Sequence, residues 1–107
     1  MDIFKIKKND TNPALGITLQ YNDGTAIDLS NGSVFFNMAN KDYSAFTSGL
    51  AVITGSTLGT AEYRWLGSPD TQVPGTYWGE FEMIWNGSRM TLPSDHSLQI
   101  QVYEDYN

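Results

Sequence analysis

Cysteine is absent from the 107 residues, so no disulfide, thiolate metal site or cysteine nucleophile is available, and packing with hydrogen bonding must hold the fold. Basic residues are scarce: six Lys plus Arg stand against twelve Asp plus Glu, a net charge of −6. That balance argues against the phosphate-neutralising surface of a nucleic-acid binder and against a polybasic membrane patch. Histidine occurs once. Ser94-Asp95-His96 holds the residue types of a hydrolytic triad, yet consecutive residues cannot converge on one reacting atom, and no Gly-x-Ser-x-Gly elbow accompanies them. The segment reads as a surface loop. No apolar run approaches the roughly eighteen residues of a membrane span. Met1-Asp2-Ile3-Phe4-Lys5 lacks the apolar core of a signal peptide, so synthesis in the cytoplasm without a membrane partner is expected.

What is present is apolar and aromatic: 40% and 13% of residues, enough for one core in a single domain spanning residues 1–107. The dominant pattern has period two and is broken every eight to twelve residues or so by Gly, Pro, Asn, Asp and Ser, the signature of short strands. Phe4 and Ile6 alternate with Lys5 and Lys7, and Asn9-Asp10-Thr11-Asn12-Pro13 ends that strand. Leu15, Ile17, Leu19 and Tyr21 form a one-sided stripe running to the Asn22-Asp23-Gly24 turn, from which Ala26-Ile27-Asp28-Leu29 should return. Val34, Phe36 and Met38 point inward from the next strand, and Phe35 makes its other face partly apolar. Residues 39–48 read as a loop with room for one helical turn. Leu50–Thr54 reads as one short strand with both faces apolar, so its inward side stays undecided.

Ala61, Tyr63 and Trp65 alternate with Thr60, Glu62 and Arg64. A loop with Pro69 and Pro74 leads into the longest strand, where Tyr77, Gly79, Phe81, Met83 and Trp85 point one way and Trp78, Glu80, Glu82 and Ile84 the other. Asn86-Gly87 is the strongest hairpin signal, residues 89–92 return from it, and Leu98, Ile100 and Val102 face inward from the last strand. The expected fold is all-β, an antiparallel immunoglobulin-like β-sandwich of seven to nine short strands or so. Its predicted core is Phe4, Ile6, Leu19, Val34, Phe36, Tyr63, Trp65, Tyr77, Phe81, Met83, Trp85, Ile100 and Val102.

Asp70, Gly75 and Tyr77 form a candidate structural corner. A tyrosine hydroxyl at a strand start can bond back to loop backbone while its ring packs inward, and Asp70 can accept N–H bonds within the same loop. Antibody domains carry a cysteine two residues after that tyrosine; Gly79 stands here, so Trp65 or Trp85 must fill the space.

Two blocks carry a resemblance. One is Asp2-Ile3-Phe4-Lys5-Ile6-Lys7-Lys8-Asn9-Asp10-Thr11 with Leu19 through Gly24 and Leu29. The other is Gly59 to Trp65, Asp70-Thr71, Pro74-Gly75-Thr76-Tyr77, Glu80-Phe81-Glu82, Trp85 and Pro93. In this order they resemble the immunoglobulin-like N-terminal domain of phage baseplate upper proteins, found in tailed phages and prophages of Gram-positive bacteria. The resemblance spans nearly the whole chain. It implies a non-enzymatic structural module of the virion tail tip, with other baseplate or tail proteins as partners, self-association among its contacts, and no cofactor. Members of that family commonly continue beyond this domain, whereas the sequence stops at Asn107; an independent short protein and a fragment of a longer one are both open.

Glu80 and Glu82 are paired carboxylates, but at i and i+2 on a solvent face they read as hydrated surface rather than an acid–base couple. Asp10, Asp23, Asp28, Asp70 and Asp95 sit near turns without EF-hand spacing, so no metal site is expected, although calcium held by loops that meet in the fold is not excluded by spacing alone. Trp78, Ile84 and Phe35, with Glu80 and Tyr103, are the interface candidates, because apolar residues sharing one outward face mark contact surfaces. Trp78 and Tyr103 beside Glu80 and Gln101 also suit an alternative function, a carbohydrate-binding module in which rings stack on sugars.

Overall fold

Alternation of apolar and polar residues becomes nine strands in the computed structural model, which describes residues 2–41, 46–66, 70–93 and 98–104. The loop expected at Ser94-Asp95-His96, and Pro69, lie outside the described residues. The strands are β1 (Asp2–Lys7), β2 (Leu15–Thr18), β3 (Ser33–Ala39), β4 (Phe46–Leu50), β5 (Val52–Gly55), β6 (Thr60–Tyr63), β7 (Gly75–Trp85), β8 (Ser88–Leu92) and β9 (Leu98–Tyr103). The larger sheet runs β1-β9-β7-β3-β4, with β8 paired to β7 beside β9; the smaller runs β2-β6-β5. The expected all-β sandwich is therefore the observed one. Among the described residues no helix is long and apolar enough to cross a membrane.

β7 organises the larger sheet because its eleven residues pair β3 on one side and both β8 and β9 on the other. Its inward residues alternate without a break: Tyr77, Gly79, Phe81 and Met83 are buried. The β7–β8 hairpin closes at Asn86-Gly87, both with positive φ (48° and 77°), the pair that matches the twist of two strands. An aromatic group joins the sheets. Phe36 lies 4.7 Å from Tyr63, 5.1 Å from Phe81 and 5.6 Å from Trp65, ring centre to ring centre. Gly79 makes room for that group: a Cβ there would lie 2.7 Å from Ile100 Cδ1 and 2.9 Å from Phe36 Cε1.

Several expectations are corrected. Among the described residues the strands pair antiparallel except β1 on β9, which is parallel; the two strands lie near opposite ends of the sequence, so no tight turn has to join them. Residues 50–54 are not one strand. Leu50 ends β4 in the larger sheet, Val52 begins β5 in the smaller, and Ala51 between them is buried with its N–H bonded to the Val34 carbonyl. Both faces looked apolar because the two halves serve different sheets. Residues 39–48 are not all loop, since Ala39 belongs to β3 and Phe46–Ser48 to β4, while residues 42–45 lie outside the described set.

The stripe after β2 also differs. Tyr21 is exposed, and the predicted return strand reduces to one bridge, Gln20 to Ala26. Leu19 instead donates to the Gly59 carbonyl and accepts from Ile27, which buries Leu19, Ile27 and Leu29. Gly59 is required at this approach: its φ is 70° and a Cβ would stand 2.5 Å from the Leu19 carbonyl oxygen. Phe4 and Trp85, predicted as core, are only partly buried and pack against its margin.

Candidate functional site

Strand pairing fixes what lies on the outer face of the larger sheet. β7 turns Trp78, Glu80, Glu82 and Ile84 outward, and the register sets Trp78 beside Ala39 and Gln99, Glu80 beside Asn37, Glu82 beside Phe35, and Ile84 beside Ser33 and Arg89. β4 extends three of these rows, with Phe46 next to Ala39, Ser48 next to Asn37 and Leu50 next to Phe35. The face thus carries apolar residues in two places: Trp78, Ala39 and Phe46 at one end, and Phe35, Leu50 and Ile84 at the other.

Around Trp78 the surface is concave. A cavity of about 300 Å³ is lined by Asn37, Ala39, Asn40, Lys41, Phe46, Trp78 and Glu80 together with Met38 and Gly79 of the strand floor. A more open hollow shares Asn40, Lys41 and Trp78 with it and runs along Val73, Pro74, Gly75 and Thr76. Trp78 lines both and is half-buried, and Phe46 is 64% exposed. The polar groups of this face are tied to one another. Ser48 Oγ donates to Asn37 Oδ1 at 2.7 Å, Asn37 Nδ2 reaches Glu80 Oε2 at 3.5 Å, and Arg89 Nε pairs with Glu82 Oε2 at 2.9 Å. Glu82 is therefore neutralised locally, whereas no cation lies within ion-pair distance of Glu80 among the described residues.

Trp78, Glu80, Ile84 and Phe35 share this face as expected; Ile84 is exposed and Phe35 half-buried. Tyr103 does not join them. It is exposed at the far end of β9 opposite Lys7, four residues along the strand from Gln99, the neighbour of Trp78. Gln101 bonds instead to Thr76 Oγ1, at 2.5 Å. Arg64 pairs at 2.8 Å with Glu62, which lies on β6 of the smaller sheet. Sequence reasoning missed Ala39, Asn40, Lys41 and Phe46 because residues 39–48 looked like loop; the alternation Phe46, Ser48, Leu50 was the available signal.

The corner at the start of β7 holds together as anticipated. Tyr77 Oη donates to the Val73 carbonyl at 2.6 Å, and burial raises the pKa of this phenol. Gly75 has φ of 150°. Asp70 is buried and accepts from Leu66 N–H at 2.9 Å and from Tyr63 Oη at 2.6 Å. Burial, and then the bond to Asp70 and its negative charge, push the Tyr63 pKa far up. Asp23 accepts from the N–H and then the hydroxyl of Thr25, and Asp28 from the hydroxyl and then the N–H of Ser30, bonds that lower both pKa values. Among the described residues no group of three or more His, Asp or Glu could hold a metal ion; Asp95 and His96 lie outside them.

With this geometry in place the solved structures become informative. The chain is similar to the N-terminal domain of phage TP901-1 ORF48. The TM-score is 0.64 at 18% identity, over 94% of this chain and 84% of that one. The two share a fold. No protein-family model matches the chain, and no curated protein matches it in sequence.

Proposed function

We propose that the chain is a non-enzymatic immunoglobulin-like structural module of a phage or prophage tail, acting in the baseplate through protein–protein contacts. The observation that carries this reading is the fold shared with a phage protein's N-terminal domain across nearly the whole chain. The ordered residue series resembling baseplate upper proteins supports it independently. The contact surface in this reading is the outer face of the larger sheet, where Trp78 and Phe46 frame a cavity rimmed by Asn37, Asn40, Lys41 and Glu80. An aromatic anchor in a polar surround is the arrangement that concentrates binding energy at an interface. The module would then reside in the virion. Pull-down with a distal-tail protein encoded in the same genome tests the proposal: capture by the parent chain, lost in Trp78→Ala, is the expected result.

A second reading keeps the same cavity for a sugar, since Trp78 offers a ring and Asn37, Asn40 and Glu80 offer hydroxyl partners. Tyr103 is too remote to contribute. Glycan-array binding that free sugar competes away would favour this reading over the structural one.

A further inference from the structure

Edge strands present unpaired N–H and C=O groups, and proteins ordinarily guard them with charge, proline, brevity or bulges. Four edges here are guarded in those ways. β1 carries exposed Lys5 and Lys7, and β8 carries Arg89 and runs into Pro93. In the smaller sheet β2 is four residues long, and β5, equally short, breaks register between Ile53 and Gly55. β4 differs. Phe46-Thr47-Ser48-Gly49-Leu50 ends the larger sheet with no charge, no proline and an unbroken register on β3. Among the described residues its backbone makes no hydrogen bond outside that ladder.

We propose that β4 pairs with β4 of a second copy of the chain, antiparallel, about a two-fold axis at Ser48. The sequence of the strand is what points to a copy of itself. In this register residue 46 opposes 50, residue 47 opposes 49, and Ser48 opposes its own equivalent. Phe46 and Leu50, each 64% exposed on the outer face, then meet as two aromatic–aliphatic cross-strand pairs. Thr47 opposes Gly49, whose inner side is covered by the Tyr63 ring of its own chain. A one-residue slip would set Phe46 against Gly49 and lose both pairs. The contact is small beside the roughly 1,600 Å² of a standard interface, so it is weak in dilute solution and gains from the high local concentration of an assembly. Each copy carries −6, so added salt strengthens the pairing by screening the repulsion. The pairing shares Phe46 with the Trp78 cavity, but Leu50 lines neither hollow, so a change at Leu50 tests the pairing apart from the cavity and the phage reading.

The absence of native cysteine makes the test clean. Ser48→Cys places one thiol at the proposed axis, where opposed Cα atoms about 4.5–5.5 Å apart fall within disulfide reach. Lys5→Cys places one on the guarded β1 edge. Ser48→Cys is expected to form disulfide-linked dimers at least about tenfold faster than Lys5→Cys, faster still in added salt, and to lose that advantage when Leu50→Lys is added. Sedimentation of the unmodified chain should show average mass rising with concentration, an increase abolished by Leu50→Lys alone. Equal cross-linking rates for the two cysteine variants, or dimers insensitive to Leu50→Lys, would overturn the proposal. Capture of a tail partner through Trp78 is a separate readout, so either idea can fail without the other.

Discussion

Tyr63 and Asp70 meet in a 2.6 Å hydrogen bond in the interior, linking the end of β6 to the loop that leads into β7. Asp70 also takes the Leu66 N–H, so one buried carboxylate organises the backbone between the two sheets, while the Tyr63 ring packs on Phe36.

That pair predicts an alkaline weakness. The Tyr63 pKa is raised above the ordinary value of 10.0 in the folded chain. A group whose folded value is raised contributes stability that is complete below its unfolded value and is lost as pH rises from there toward the folded one. Urea melts should therefore show stability falling above about pH 10, and Tyr63→Phe should flatten that fall, lysine titration being common to both proteins. At neutral pH the same substitution should cost about 1.5–3 kcal/mol, because it removes a bond to a charged acceptor. Identical slopes above that pH would remove the tyrosine from the account.

Tyr77 and Gly75 can be examined in the same melts. Tyr77→Phe deletes the bond to the Val73 carbonyl and should cost about 0.5–1.5 kcal/mol with the fold intact. Gly75→Ala forces a side chain onto a φ of 150° and should cost about 1–3 kcal/mol, although its Cβ would meet nothing nearer than Tyr77 Cε1 at 4.0 Å. An alanine without effect would show that backbone conformation is not what requires glycine there.

Core packing separates the tryptophans. Trp65 is buried at 3% exposure between Phe4, Phe36 and Tyr63, so Trp65→Ala should cost about 3–5 kcal/mol. Trp85 is only partly buried, and Trp85→Ala should cost clearly less. Gly79→Ala should also destabilise, by about 1–3 kcal/mol, because its methyl would overlap Ile100 and Phe36. Equal losses for the two tryptophans would contradict the burial difference.

The long alternating runs were legible in the sequence because a half-buried strand writes its two faces in alternate residues: β7, β6 with Trp65, and β9 all follow that rule. Asn86-Gly87 was legible because few residue pairs accept two positive φ values. The crossing at Ala51 was hidden, since a strand that changes sheets loses its alternation at the step. The parallel placing of β1 on β9, and the bonds of Leu19 to Gly59 and Ile27, depend on partners distant in sequence, which period two does not encode. At the candidate site Trp78, Glu80, Ile84 and Phe35 followed from strand parity. Tyr103 shares their parity but sits too far along its strand, and Phe46 and Lys41 were concealed in a segment whose polar residues masked the start of β4.

The proposed function rests on the outer face around Trp78 as a docking surface. The most direct measurement is the affinity of the chain for a distal-tail protein of the same genome, compared between the parent and Trp78→Ala, with circular dichroism confirming that both are folded. Binding is expected to weaken by at least about 2 kcal/mol while the β-sheet spectrum is retained. Binding of undiminished strength by folded Trp78→Ala would contradict it.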